Sequence, residues 1–209
     1  MHEFLFLGAQ GYVVHFTNPR GGQGYGEAHA KAIYNRWGTA DYADLMAWTN
    51  TIARRPYIDS SRMGVMGGSY GGYSTCWIVG QTKRFKAAVT LRCVSNFVSM
   101  WGSSDMNWRF QRLFGSDSAP WEDLENYWRQ SPMKHVGNVK TPTLVIHSEQ
   151  DLRCDIEQSE QFYVAPKRLG VDTEFVVFPE ESHELSRSGR TDRRVERLKH
   201  MARWFGKYL

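Results

Sequence analysis

Apolar and polar positions along this chain follow two rhythms. Short runs rich in β-branched residues recur at 12–16 (YVVHF), 62–66, 85–91 (FKAAVTL), 142–147 (PTLVIH) and 173–178 (TEFVVF), and each reads as a strand. Between them lie stretches with a helical repeat. In 39–55 the apolar face is Tyr42, Leu45, Met46, Thr49 and Ile52; in 191–207 it is Val195, Leu198, Met201 and Phe205. Further helices are expected at 27–37, at 72–81 and at 156–169, the last closed by Gly170. Pro166 lies in its last turns and predicts a kink or an early end. Residues 2–10 read as the end of a helix stopped by Gly11. Residues 94–128 have no clear period but many aromatics, the composition of a pocket lining or lid. Strands alternating with helices predict an α/β fold with a mostly parallel sheet.

Composition narrows the picture. A chain of 209 residues buries one good core, and no linker or internal repeat divides it. The net charge of +4 is too small to point to nucleic acid. Cys76, Cys93 and Cys154 are odd in number and irregularly spaced, so they predict neither a disulfide framework nor a zinc site. A reducing, cytoplasmic setting is expected, and no apolar run approaches a membrane span. The glycine-rich loop 17–26 follows a strand, but no register gives a phosphate-binding fingerprint. Asp41 and Asp44 suit the start of a helix and its exposed face. Neither cofactor nor metal is implied.

The chemistry concentrates at Gly67-Gly68-Ser69-Tyr70-Gly71-Gly72-Tyr73. A strand runs into Gly-x-Ser-x-Gly and a helix leaves it, which is the pattern of a nucleophile elbow. The sharp turn exposes the Ser69 hydroxyl. Glycines two residues before and two after are expected where strand and helix pass closely. The Tyr70 N–H at the helix start is placed to stabilise an oxyanion.

In an open α/β sheet a site lies beyond the carboxyl ends of the strands. Ser69, Asp151 and His183 each follow a strand there, in the order Ser, Asp, His, with gaps of 82 and 32 residues. A serine hydroxyl needs an adjacent base, a histidine titrating near ~6.5 can serve as one, and an aspartate can fix the imidazole tautomer. The six other histidines lie on predicted helices, a strand or surface segments. Asp155 is the rival acid, but it stands where a helix cap belongs. His183-Glu184-x-x-Arg187 is not a zinc motif, because an arginine takes the fifth place.

Gly67-Gly68-Ser69-Tyr70-Gly71-Gly72-Tyr73 resembles the nucleophile segment of the prolyl oligopeptidase family of serine peptidases. So do Asn18-Pro19-Arg20-Gly21, Gly24-Tyr25-Gly26, Trp37-Gly38-x-x-Asp41-Tyr42, Ser131-Pro132, Thr141-Pro142-Thr143-Leu144 and Phe178-Pro179 with Ser182-His183-Glu184. The likeness covers essentially the whole chain and is strongest to the acylaminoacyl-peptidase and dipeptidyl-peptidase-like branch. It implies an α/β-hydrolase fold with helices on both faces of the sheet. It implies Ser69, Asp151 and His183 as the triad, Tyr70 as an oxyanion donor and Arg153 as a ligand for a substrate carbonyl. Phe97, Trp101 and Trp108 are candidates for the side-chain pocket. Asp155 stands where the family usually has proline.

The resemblance also implies parts that are not in these 209 residues. One is an amino-terminal β-propeller. Another is a strand between 12–16 and 62–66, leading to a loop with the second oxyanion donor. The chain therefore reads as a single, amino-terminally truncated catalytic domain lacking the first strands. A gap or slipped pairing is expected where that strand belongs. Its substrate would be a short peptide or acyl-peptide, with no nucleic-acid or membrane partner. A homo-oligomer or a missing amino-terminal segment would complete it. A serine esterase and an inactive hydrolase fragment are the alternatives.

Overall fold

A computed structural model describes residues 2–209. Its sheet has four strands: β1 (Gly64–Gly68), β2 (Ala87–Leu91), β3 (Thr143–Ser148) and β4 (Thr173–Phe178). They pair in parallel in the order β1-β2-β3-β4. Five longer helices accompany them: α1 (His2–Ala9), α2 (Ala40–Ala53), α3 (Tyr70–Gln81), α4 (Ile156–Arg168) and α5 (Thr191–Tyr208).

β2 and β3 are buried along their whole length, which explains why they read as continuous apolar runs. Alternate side chains face opposite ways. Ala87, Val89, Leu91, Leu144 and Ile146 meet Leu7 of α1 and Met201, Trp204 and Phe205 of α5. Ala88 and Val145 meet Cys76 and Val79 of α3 and Phe162 of α4 on the other face. The mostly parallel sheet with helices on both faces is thus present.

Several expectations are corrected. Residues 12–16 form no strand. They join no strand of the sheet, although Tyr12 and Val14 pack on the core, and Val13 and Phe16 are 61% and 63% exposed. A cavity of about 750 Å³ is lined both by this segment and by β1, which leaves the outer edge of β1 without a strand. The expected gap is therefore there. Leu45, Met46, Thr49 and Ile52 of α2 line the same cavity, so this predicted core face is only half-buried.

Val195 is exposed, and Arg197 takes its place on the buried side of α5. The buried stripe runs Arg197, Met201, Trp204, Phe205, and Glu3 of α1 lies 2.7 Å from the Arg197 guanidinium. The helix expected at 27–37 shrinks to single turns, Glu27–Ala30 and Lys31–Ile33. Tertiary contact ends it: Asn35 is left-handed and its N–H donates to the Phe114 carbonyl at 2.7 Å. α4 runs through Pro166 to Arg168, because only the last two residues follow the proline and few hydrogen bonds are at stake. The region expected at 94–128 holds two short helices, Phe97–Ser103 and Phe110–Phe114, and most of a third, Leu124–Arg129.

Candidate active site

The elbow is built as the glycine pattern demands, with one change. Ser69 joins β1 to α3 at φ 59°, ψ −117°. Such a backbone costs a non-glycine residue about 1–3 kcal/mol and persists only where its surroundings hold it. Here the Ser69 N–H donates to the Leu91 carbonyl at 3.0 Å, and the Tyr73 N–H donates to the Ser69 carbonyl at 2.9 Å. A Cβ on Gly67 would fall 2.3 Å from the Gly71 oxygen. A Cβ on Gly71 would meet open space, whereas one on Gly72 would fall 2.6 Å from the Leu91 oxygen. The close approach after the serine is therefore at Gly72. Tyr70 is the first residue of α3, so its N–H has no acceptor within the helix.

Three loops at the carboxyl ends of β1, β3 and β4 bring Ser69, Asp151 and His183 together. His183 Nδ1 lies 2.7 Å from Asp151 Oδ2, and His183 Nε2 lies 3.1 Å from Ser69 Oγ. A carboxylate only accepts, so Nδ1 carries the proton and bare Nε2 accepts from the serine hydroxyl. Asp151 is buried, and its Oδ1 accepts from the N–H groups of Arg153 at 3.0 Å and Cys154 at 2.9 Å. The arrangement can move a proton from serine to histidine beside a fixed negative charge. Asp155 instead caps α4, its carboxylate accepting from the Glu157 N–H at 3.1 Å.

The remaining predicted residues fall in different places. Arg153 is half-exposed, and its guanidinium forms a fork to Asp105, at 2.6 Å from Nε and 3.3 Å from Nη2. That pair holds its pKa above the ordinary arginine value. Phe97 is fully buried against Trp37, Tyr73, Phe110 and Phe114, with ring centroids 4.8–5.5 Å apart. Trp101 is half-buried; its indole N–H donates to Gln111 and its ring meets Trp121 edge-on. Trp108 is 51% exposed and belongs to none of these stacks.

Two further residues matter here. Asp41 is not on the surface: it is 1% exposed. Its Oδ2 accepts the Tyr70 hydroxyl at 2.7 Å and the Gly38 N–H at 3.1 Å, which ties α2 to the residue after Ser69. Burial, then the Asp41 charge, pushes the Tyr70 phenol far above its ordinary pKa. The spacing Trp37-Gly38-x-x-Asp41 carried that signal, because a carboxylate three residues after glycine can close back on its N–H. The other is His147, at the end of β3 beneath Asp151. Among the described residues no group of three His, Cys, Asp or Glu side chains could hold a metal ion. Nor is any described helix long and apolar enough to cross a membrane.

The model of the prolyl oligopeptidase family matches residues 1–209. The uncharacterized peptidase YuxL of Bacillus subtilis is 47% identical over 209 residues, all of this chain and 32% of that protein. The crystal structure of Pyrococcus horikoshii acylaminoacyl peptidase superposes with a TM-score of 0.93 at 33% identity, covering 99% of this chain and 34% of that one. An acylaminoacyl peptidase in complex with Z-Gly-Gly-Phe-chloromethyl ketone superposes with a TM-score of 0.88 at 35% identity, covering 92% and 31%. The chain thus spans about a third of the length of the relatives it matches.

Proposed function

This chain belongs to the prolyl oligopeptidase family, and on that premise we propose that it is the catalytic part of a serine peptidase acting on short peptides or acyl-peptides. The observation that carries the reading is the continuous path from Ser69 Oγ through His183 to Asp151. Ser69 attacks the scissile carbonyl as His183 Nε2 takes its proton. Asp151 stabilises the imidazolium through Nδ1. The Tyr70 N–H faces the oxyanion of the tetrahedral intermediate. His183 then returns the proton to the leaving amine, and water releases the acyl group by the same steps.

Arg153 binds a substrate main-chain carbonyl with the N–H groups that Asp105 leaves free. Phe97, within the buried ring cluster, and the more exposed Trp101 and Trp108 contribute to the side-chain pocket. The peptidyl inhibitor in the acylaminoacyl peptidase complex is consistent with a peptide in such a site. An extended segment along the open edge of β1 supplies the second oxyanion donor. Three unpaired, buried cysteines accord with a reducing, cytoplasmic setting.

The test compares p-nitrophenyl esters with peptide anilides on the native protein. Peptide anilides turned over by wild type, with the activity lost in Ser69→Ala, support a peptidase. Turnover of esters alone points to an esterase. No turnover of either, with the chain folded, favours an inactive fragment, a reading that the open edge of β1 supports.

A further inference from the structure

The loop that carries Asp151 is held from below by a second histidine. His147 is the last inward residue of β3 on the face that packs against α4, and it is 1% exposed. Its Nε2 lies 2.7 Å from the Cys154 carbonyl, and its Nδ1 lies 2.5 Å from Ser159 Oγ of α4. A carbonyl only accepts, so Nε2 carries the proton. Nδ1 then accepts from the Ser159 hydroxyl, whose oxygen lies 3.2 Å from the Cys93 thiol. Burial lowers the pKa of His147 and keeps the ring neutral, although the Asp151 charge opposes this.

The same Nε2 lies 3.5 Å from Asp151 Oδ2, the oxygen that accepts from His183. One carboxylate oxygen thus faces two imidazoles with opposite tautomers. His183 is protonated on Nδ1 and reaches the serine; His147 is protonated on Nε2 and is closed off in the core.

We infer that His147 is a positioning residue: clamped between Ser159 and the Cys154 carbonyl, it fixes the 149–155 loop so that Asp151 is aimed at His183. The clamp acts at both ends of the acid loop. Cys154 also donates its N–H to Asp151 Oδ1, so the peptide group on either side of its Cα is tied, one to the carboxylate and the other to His147. If the ring is lost, the Cys154 carbonyl is buried without a donor and the loop must move to satisfy it. A shift of Asp151 away from His183 weakens the stabilisation of the imidazolium formed in catalysis.

The neutrality of His147 matters too. A cationic ring at that distance would draw on the Asp151 charge in competition with His183. The charged or titratable groups around it are Asp151 and Cys154 in the loop, Asp155 at the start of α4, His183 from the loop after β4, and Cys93 behind Ser159.

This inference rests on the Ser69–His183–Asp151 reading. The test follows the rate at which a fluorophosphonate labels Ser69 as a function of pH in wild type, His147→Phe, His147→Gln and Ser159→Ala, each first checked for a cooperative melt. His147→Phe should label about 10²-fold more slowly at its best pH, the cost of a misplaced group. Its acid limb should move to lower pH, because a poorly aimed carboxylate stabilises the imidazolium less and the imidazole then protonates less readily. His147→Gln keeps an N–H at the Nε2 position and should recover most of the rate and the wild-type limb. Ser159→Ala, which leaves His147 in place but frees Nδ1, should fall between them and serves if His147→Phe does not fold. Wild-type rates and limbs in the folded variants would overturn the clamp. A slowed His147→Phe with an unmoved limb would make His147 a packing residue only. Failure of wild type to label at Ser69 would overturn the triad reading, and the clamp with it.

Discussion

The two sides of this sheet are finished to different degrees. Around β2 and β3 every strand residue is buried, helices cover both faces, and Asp151 has partners on both oxygens. Around β1 the outer edge lies open to a cavity of about 750 Å³, and the neighbouring segment 12–16 leaves Val13 and Phe16 exposed. The site straddles the two. The proposed proton path crosses from one to the other, since Asp151 and His183 follow β3 and β4 whereas Ser69 follows β1. The proposed oxyanion donor, the Tyr70 N–H, stands beside Ser69 at the β1 end of the site. The acid and base thus stand on the finished part of the sheet and the nucleophile at its open end, and each part can be perturbed by itself.

The largest expected effect comes from the proton path. Ser69→Ala should lower turnover by up to about 10⁶-fold, and Asp151→Asn by about 10⁴-fold without loss of fold, as single-turnover kinetics beside a thermal melt will show. If Asp151→Asn costs less than tenfold, the carboxylate does not serve His183.

The open side should respond in the opposite direction. Adding an upstream segment that pairs with β1 and carries a second donor should raise kcat by about 10²–10³-fold. It should also make the chain more stable and less prone to associate through its edge. Kinetics and analytical ultracentrifugation on the two lengths of chain will decide this. Equal activity and equal monomer content would mean that the edge of β1 needs no partner.

Core substitutions sharpen the contrast. Leu144→Ala, in the covered sheet, should cost about 2–5 kcal/mol in urea unfolding. Leu45→Ala, beside the cavity, should cost less, about 1–2 kcal/mol, because its side chain is only partly buried. Similar losses at both positions would show that the cavity side is as tightly packed as the other.

The smallest effect is one of pH. Burial lowers the pKa of His147, so the unfolded chain binds a proton there at a higher pH than the folded one. Stability should therefore fall as pH drops below about 6.5, by at most ~1.4 kcal/mol per pH unit from this group. His15 and His135, also lowered by burial, act with the same sign. His147→Gln should flatten that slope relative to wild type; an unchanged slope would place the effect in the other two.

The same division governs what could be read from the sequence. β4 matches its predicted bounds, β2 starts two residues later than expected and β3 is shifted by one residue at each end; β2 and β3, buried throughout, read as unbroken apolar runs. The meeting of Ser69, Asp151 and His183 was legible because each follows such a strand. Residues 12–16 have an equally good strand composition yet do not pair, since pairing depends on a neighbour and not on the run itself. The helix-start pattern places Asp41 on an exposed face, yet its burial, like that of Arg197, depends on contacts with Tyr70, Gly38 and Glu3 that periodicity does not report. His147 was one histidine on a strand until the alternation of β3 turned it toward α4 and Ser159.

The most direct test of the central claim is to label the native chain with a fluorophosphonate and locate the adduct by peptide mass mapping. If the proton path is complete within these 209 residues, Ser69 alone should be modified, and neither the unfolded chain nor His183→Ala should react at a comparable rate. A folded chain that stays unlabelled, or that carries the adduct on another serine, would contradict it.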